Sequence, residues 1–274
     1  MPLARADLES LLRARKLDRT LTTSLPSAPS PDELAAPADI APADIAPPDI
    51  APPDIIAATG LPPLDARLGG GFPRGHLSEL VGPRSSGRTS VLLQTLAAAT
   101  ARGELVALVD ALDMLDVASA SAAGIDLDRF LWIRGHVVTN PGMCRDINQR
   151  ALEQAVKALT LVLQAGNFGM VVLDVAEAPK DAIRRLPFTT WLRLQRIIEG
   201  SPTACLLVGT EPMARSSAGL TVRLSTAHAR LRADNRLLAG LDLEVQVVRA
   251  RARMHENTPE KNPVAVTTRA AAYV

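Results

Sequence analysis

At 274 residues the chain has room for one α/β domain with a full core plus some unstructured segments. Its 30 basic residues balance 29 acidic ones, which excludes a global attraction to nucleic acid or to an acidic membrane, so any polyanion contact must come from local clustering. Aromatic residues make up 3%, which removes the stacking platform of many single-strand binders, and Cys144 and Cys205 show no metal or redox spacing and are expected to be reduced.

The amino terminus lacks the apolar core of a signal peptide, and no run reaches the roughly 18 to 20 apolar residues of a membrane span, so a cytoplasmic location is expected. Within residues 1–25, Leu8, Leu11 and Leu12 share helical spacing with Arg13, Arg15, Lys16 and Arg19. This pattern predicts an amphipathic helix that packs either on its own domain or on a neighbour. Residues 26–58 follow as a linker built on the pentad Ala36-Pro37-Ala38-Asp39-Ile40, repeated with small changes as far as Ile55. A proline in every pentad removes a backbone donor and excludes a regular helix or central strand. An extended spacer fits this segment, with a docking motif of regularly placed Ile and Asp as the alternative.

A core domain is expected over residues 59–253. Apolar strands at 77–81, 105–110, 131–134, 169–174 and 204–208 alternate with helical patterns at 88–102, 114–123, 141–164 and 188–199. Such alternation predicts an α/β fold with a mostly parallel, twisted sheet and helices on both faces. Residues 221–225 and 241–249 then predict a C-terminal antiparallel hairpin. Residues 254–274 lack periodicity and are expected to form a loose tail.

The segment Gly82-Pro83-Arg84-Ser85-Ser86-Gly87-Arg88-Thr89 has the spacing of a phosphate-binding loop, G-x-x-x-x-G-K-[ST], with Arg88 in the lysine position. Small residues at the start of a helix let consecutive N–H groups wrap a phosphate, and the helix dipole favours its charge. Gly82, Ser85, Ser86, Gly87, Arg88, Thr89 and Ser90 are therefore candidate nucleotide-binding residues. The Thr89 hydroxyl is a candidate Mg²⁺ ligand, and Asp174, which closes an apolar strand, a candidate carboxylate holding Mg²⁺ through water. The alternatives are a ligand-free glycine turn, and an aspartate that merely caps the next turn.

These residues sit in a wider pattern. Thr59-Gly60-Leu61, Leu64-Asp65 and the run from Leu68 to Gly75 resemble the RecA segment that leads into its phosphate loop, and Val109-Asp110-Ala111-Leu112-Asp113 resembles RecA's I-D-A-E. The resemblance to the RecA-like ATPases covers about residues 59–250. It implies ATP and Mg²⁺ as ligands and places Arg249 and Arg251 where RecA has a basic pair reaching the nucleotide of the adjacent subunit, hence self-association. It also implies that Leu112 stands where RecA carries its water-polarising glutamate. Arg249, Arg251 and Arg253 alternate so as to share one strand face. That face would contact nucleotide or single-stranded DNA, or form a charged, solvated sheet edge.

The stretches corresponding to RecA's DNA-binding loops, residues 176–187 and 211–219, are short, and Thr210 stands where RecA senses the γ-phosphate. The combination resembles the ImuA family of degenerate RecA relatives. That resemblance implies an accessory in the bacterial DNA damage (SOS) response and translesion mutagenesis, with weak or vestigial ATP/Mg²⁺ use and no catalytic residue assigned. Its implied partners are the mutagenesis polymerase complex and RecA. The rival expectation is an active DNA-dependent ATPase of the recombinase type in DNA repair, with Asp113 or Glu79 as base. A third is a regulator with a decayed nucleotide site, working only through its amino-terminal helix and spacer.

Overall fold

The structure, a computed structural model, describes residues 55–135, 145–214, 219–231, 238–250 and 264–266. All lie in one compact unit spanning Ile50–Val274. The expected amino-terminal helix, the proline pentads up to residue 54, Cys144 and Arg251 lie outside the described residues.

An eight-stranded sheet organises the unit. In chain order its strands are β3 (Leu77–Val81), β4 (Val106–Asp110), β5 (Phe130–Arg134), β6 (Met170–Asp174), β7 (Ala204–Gly209), β8 (Leu220–Leu231), β9 (Leu238–Ala250) and β10 (Val264–Val266). Their spatial order is β10-β9-β8-β3-β7-β6-β4-β5. From β8 to β5 every neighbour pair is parallel, while β9 runs antiparallel to β8 and β10 antiparallel to β9. The expected hairpin is therefore present, but its strands are 12 and 13 residues long and β8 continues the parallel sheet. Val264–Val266, inside the stretch read as an aperiodic tail, forms the edge strand.

Both sheet faces are covered, as the near-continuous apolar strands require. Met170 and Val172 of β6 face one core with Leu92 and Leu96 of α2 (Arg88–Ala101). Val171 and Leu173 face a second core with Leu152 and Leu159 of α4 (Arg145–Ala165) and Leu194 of α6 (Phe188–Ile198). Period-2 alternation along one strand thus feeds two helical layers. Among the described residues no helix is long and apolar enough to cross a membrane.

Smaller elements complete the fold. The strand β1 (Ile56–Ala57) pairs antiparallel with β2 (Phe72–Pro73), and between them α1 (Pro62–Leu68) starts on proline and stops at Gly69, whose φ is 68°. Thr59 donates from both its N–H and its hydroxyl to Asp65 Oδ1 at 2.8 Å, so the Thr-Gly and Leu-Asp signals read in the sequence form one staple. The helix expected from residue 114 begins later, as α3 (Val117–Ala122), because the Asp116 side chain accepts from Ser119 N–H and caps it there. A short α5 (Lys180–Arg184) lies in the stretch read as a loop.

Candidate functional site

In parallel register, Asp110 lies beside Asp174, Asp174 beside Val208, and Val81 beside Gly209. The carboxyl ends of β4, β6, β7 and β3 thus form one edge, where open α/β sheets hold their ligands. The phosphate-type loop leaves β3 at this edge, and Gly82 N–H donates to the Gly209 carbonyl at 3.2 Å.

The loop has the conformation its sequence calls for. Ser85 has φ 58° and Gly87 φ 85°, and the first N–H groups of α2 beyond them have no intrahelical acceptor. The Ser86 hydroxyl is buried without a hydrogen-bond partner, an orphaned donor inside the cradle. A buried hydroxyl without a partner and an open helix N-terminus are what an anion would satisfy, so the loop fits a phosphate. Thr89 is exposed at the helix start and Ser90 half-buried.

Arg88 does not extend freely from this loop. Its side chain is 7% exposed, with Nη1 donating to the Gly209 carbonyl at 2.7 Å and Nη2 facing Glu177 Oε1 at 3.4 Å. Burial holds the guanidinium below its ordinary pKa, opposed by the nearby Asp174 and Glu177. Glu177 also accepts from Arg84 Nε at 2.6 Å through its other oxygen. One carboxylate therefore joins two arginines of the same loop. Sequence reading missed Arg84 and Glu177; the signal was an acid three residues beyond Asp174, which has meaning only once β6 and β3 are brought to one edge.

Asp174 is pushed up from 3.8 to about 6, first by burial, with Asp110 adding to the shift and the hydrogen bond from Ala176 N–H and the charge of Arg88 opposing it. Asp110 accepts from Leu115 N–H at 2.8 Å and from Trp132 Nε1 at 3.2 Å, which fixes the turn after β4. In that turn Leu112 packs against the second core. Asp113, at φ 59°, takes a two-pronged ion pair from Arg134, both contacts at 2.6 Å. Glu79 is fully buried on β3, where Oε1 accepts from Met213 and Ala214 N–H at 2.6 and 2.8 Å and Oε2 accepts from the Thr221 hydroxyl at 2.9 Å. Both carboxylates named as alternative bases are thus committed to structural partners.

Arg249 lies on β9 opposite Thr221 of β8. Its side chain is outside the described residues, as is the whole of Arg251, so the basic pair has no described geometry. Cys205 is free and buried, its thiol pushed up to about 12 by burial. The stretches 176–187 and 211–214 meet through Lys180 and Arg184, which both pair with Glu211. Beside these pairs Phe188, Trp191 and Met213 line a cavity of about 740 Å³. Among the described residues no three His, Cys, Asp or Glu side chains cluster as a metal site.

Comparison with known proteins bears on the family and the fold. Residues 54–184 match the RecA N-terminal domain family. The chain is 37% identical over 116 residues to Protein RecA of Acholeplasma laidlawii, covering 42% of this chain and 31% of that one. It is 35% identical over 124 residues to Protein RecA of Desulforapulum autotrophicum, covering 45% and 32%. The chain thus spans about a third of the length of the curated relatives it matches. The crystal structure of the RadB recombinase superposes with a TM-score of 0.50 at 20% identity, over 72% of this chain and 90% of that one. The fold is RecA-like, and fold and sequence together support the RecA-like superfamily.

Proposed function

We propose that this RecA-like chain is a nucleotide-binding accessory protein of bacterial DNA repair that binds ATP with little or no hydrolysis, in the manner of the ImuA family. The observation that carries the reading is the set of commitments around the phosphate loop. The position of RecA's water-polarising glutamate is filled by Leu112, which packs on the core, while Asp113 is held by Arg134 and Glu79 by three donors. A general base must reach the proton it abstracts and be free to take it. A leucine cannot, and a carboxylate already accepting from its neighbours is poorly placed to.

Binding is a separate matter. Bound Mg²⁺ and nucleotide would supply the phosphate charge and its counter-charge. The residues that would hold them are the N–H groups from Ser85 to Ser90, the Ser86 and Thr89 hydroxyls and the Arg88 guanidinium, with Asp174 acting on the metal through water. The role of Arg249 and Arg251 as contacts to the nucleotide of an adjoining subunit, and single-stranded DNA binding by the arginine-rich face, belong to the same proposal. So does docking on the mutagenesis polymerase complex or on RecA through the amino-terminal helix and the spacer behind it.

The test is steady-state phosphate release from Mg-ATP, with and without single-stranded DNA, beside nucleotide-dependent melting. Stabilisation without release supports the reading, because a ligand that binds only the folded state must stabilise it. Release stimulated by DNA would replace it with an active recombinase-type ATPase. Neither stabilisation nor release would leave a regulator that works through its amino-terminal segment alone.

A further inference from the structure

We infer that Glu177 is an internal counter-anion of the phosphate loop: its carboxylate occupies the place that Arg84 and Arg88 offer to a nucleotide's outer phosphate, and phosphate must displace it to bind. The inference rests on the proposed nucleotide site and adds two residues to it, Arg84 as a phosphate ligand and Glu177 as the group that competes with phosphate.

The geometry is that of an anion held in a two-arginine fork. Oε2 of Glu177 accepts from Arg84 and Oε1 faces Arg88, so a single carboxylate spans both cations with separate oxygens. Both cations belong to the same loop, on either side of Ser86, whose buried hydroxyl has no partner. Guanidinium recognises carboxylate and phosphate with the same donor fork, so whatever places two guanidinium groups around one carboxylate oxygen pair also suits two oxygens of a phosphate. Arg88 has its Nη1 edge fixed on the Gly209 carbonyl, which leaves the Nη2 edge for the anion.

The clamp is built to open. Arg84 is 79% exposed and Glu177 22% exposed, so water and ligand reach the pair, and an exposed ion pair contributes little to the fold. The backbone on either side of Glu177 is anchored: Val175 N–H donates to the Val208 carbonyl and Ala178 N–H to the Val175 carbonyl. Release therefore needs a rotation of the Glu177 side chain and no rearrangement of β6. A nucleotide's outer phosphate carries more charge than a carboxylate and also meets the N-terminus of α2, so it outcompetes Glu177 for the two arginines at a cost in affinity.

The experiment is isothermal titration of Mg-ATP, Mg-ADP and pyrophosphate into the full chain, its E177Q and R84A variants and the double variant, with circular dichroism and melting curves to verify folding. E177Q is expected to bind Mg-ATP about tenfold more tightly than the parent, the scale of coupling between groups in one network. R84A is expected to change affinity little in the parent, since it removes a ligand and loosens the competitor at once, but to weaken binding several-fold in the E177Q background. Equal affinity of parent and E177Q, both binding nucleotide, would overturn the counter-anion and leave the nucleotide site standing. Weaker binding by E177Q would make Glu177 a ligand-side group and also overturn it. No binding of any probe by either protein would overturn the inference together with the site it rests on.

Discussion

Arg88 Nη1 donates to the carbonyl of Gly209 at 2.7 Å, tying the first residue of α2 to the end of β7. In a phosphate loop of the usual composition a lysine at this position is a compact, mobile point charge; here a planar donor is half-used by the fold. Arg88→Lys is expected to lose this tie and cost about 1–2 kcal/mol of stability, as the loss of a buried hydrogen bond from a charged donor does. Under the proposed reading it also leaves phosphate release at background, because the substitution adds no carboxylate to serve as base. Denaturant unfolding and a phosphate assay on the same preparation check both halves.

Glu79 tests whether a carboxylate inside an apolar strand is chemical or structural. Its three donors come from the segment after β7 and from β8, so it holds the chain that links those strands. Glu79→Gln keeps an acceptor for the two N–H groups and places an amide donor opposite the Thr221 oxygen, so a change below about 1.5 kcal/mol is expected. Glu79→Ala leaves two N–H groups and a hydroxyl without their acceptor and is expected to cost about 3 kcal/mol or more. Equal destabilisation by both variants would contradict this account of the strand.

Asp174 gives a pH signature. Between 3.8 and about 6 the folded chain keeps a proton that the unfolded chain has released, so folding takes up a proton and stability falls as pH rises through that window. Above it the native state carries a desolvated charge, and below it the two states are protonated alike. Asp174→Asn stays neutral and retains an oxygen for the Ala176 N–H. It is expected to be more stable than the parent by of order 1–3 kcal/mol at pH 8, with the difference vanishing near pH 4. Melting both proteins across that range measures it.

Gly87 couples the loop to the antiparallel strands. With φ 85° and a Cβ position 2.5 Å from Leu243 Cδ2 of β9, it admits no side chain without backbone strain and movement of that leucine. Gly87→Ala is expected to lower stability by about 1–2 kcal/mol and to abolish nucleotide-dependent stabilisation, since the loop backbone can no longer hold its cradle. Unfolding and nucleotide melting shifts would show both effects together.

The alternation of apolar strands and helical segments made the α/β layers legible from the sequence, and the glycine spacing after Val81 located the loop, because both are set by local chemistry. What stayed hidden depends on contacts distant in sequence. The commitment of Glu79 to Met213, Ala214 and Thr221 joins residues more than 130 positions apart, and the Glu177 bridge to Arg84 spans 93. The length of β8 was missed because its later residues alternate between small and polar side chains and are organised mainly by pairing with β9. Helix α5 was missed because it is five residues long, too short for a helical period to register.

The most direct measurement is a titration of the full chain with Mg-ATP that follows its melting temperature and phosphate release together, with and without single-stranded DNA. A concentration-dependent rise in melting temperature is expected, with no release above background under either condition. DNA-stimulated turnover would contradict the proposed reading, since it would require a working base from a carboxylate such as Asp113 or Glu79 that this reading takes to be held by its structural partners.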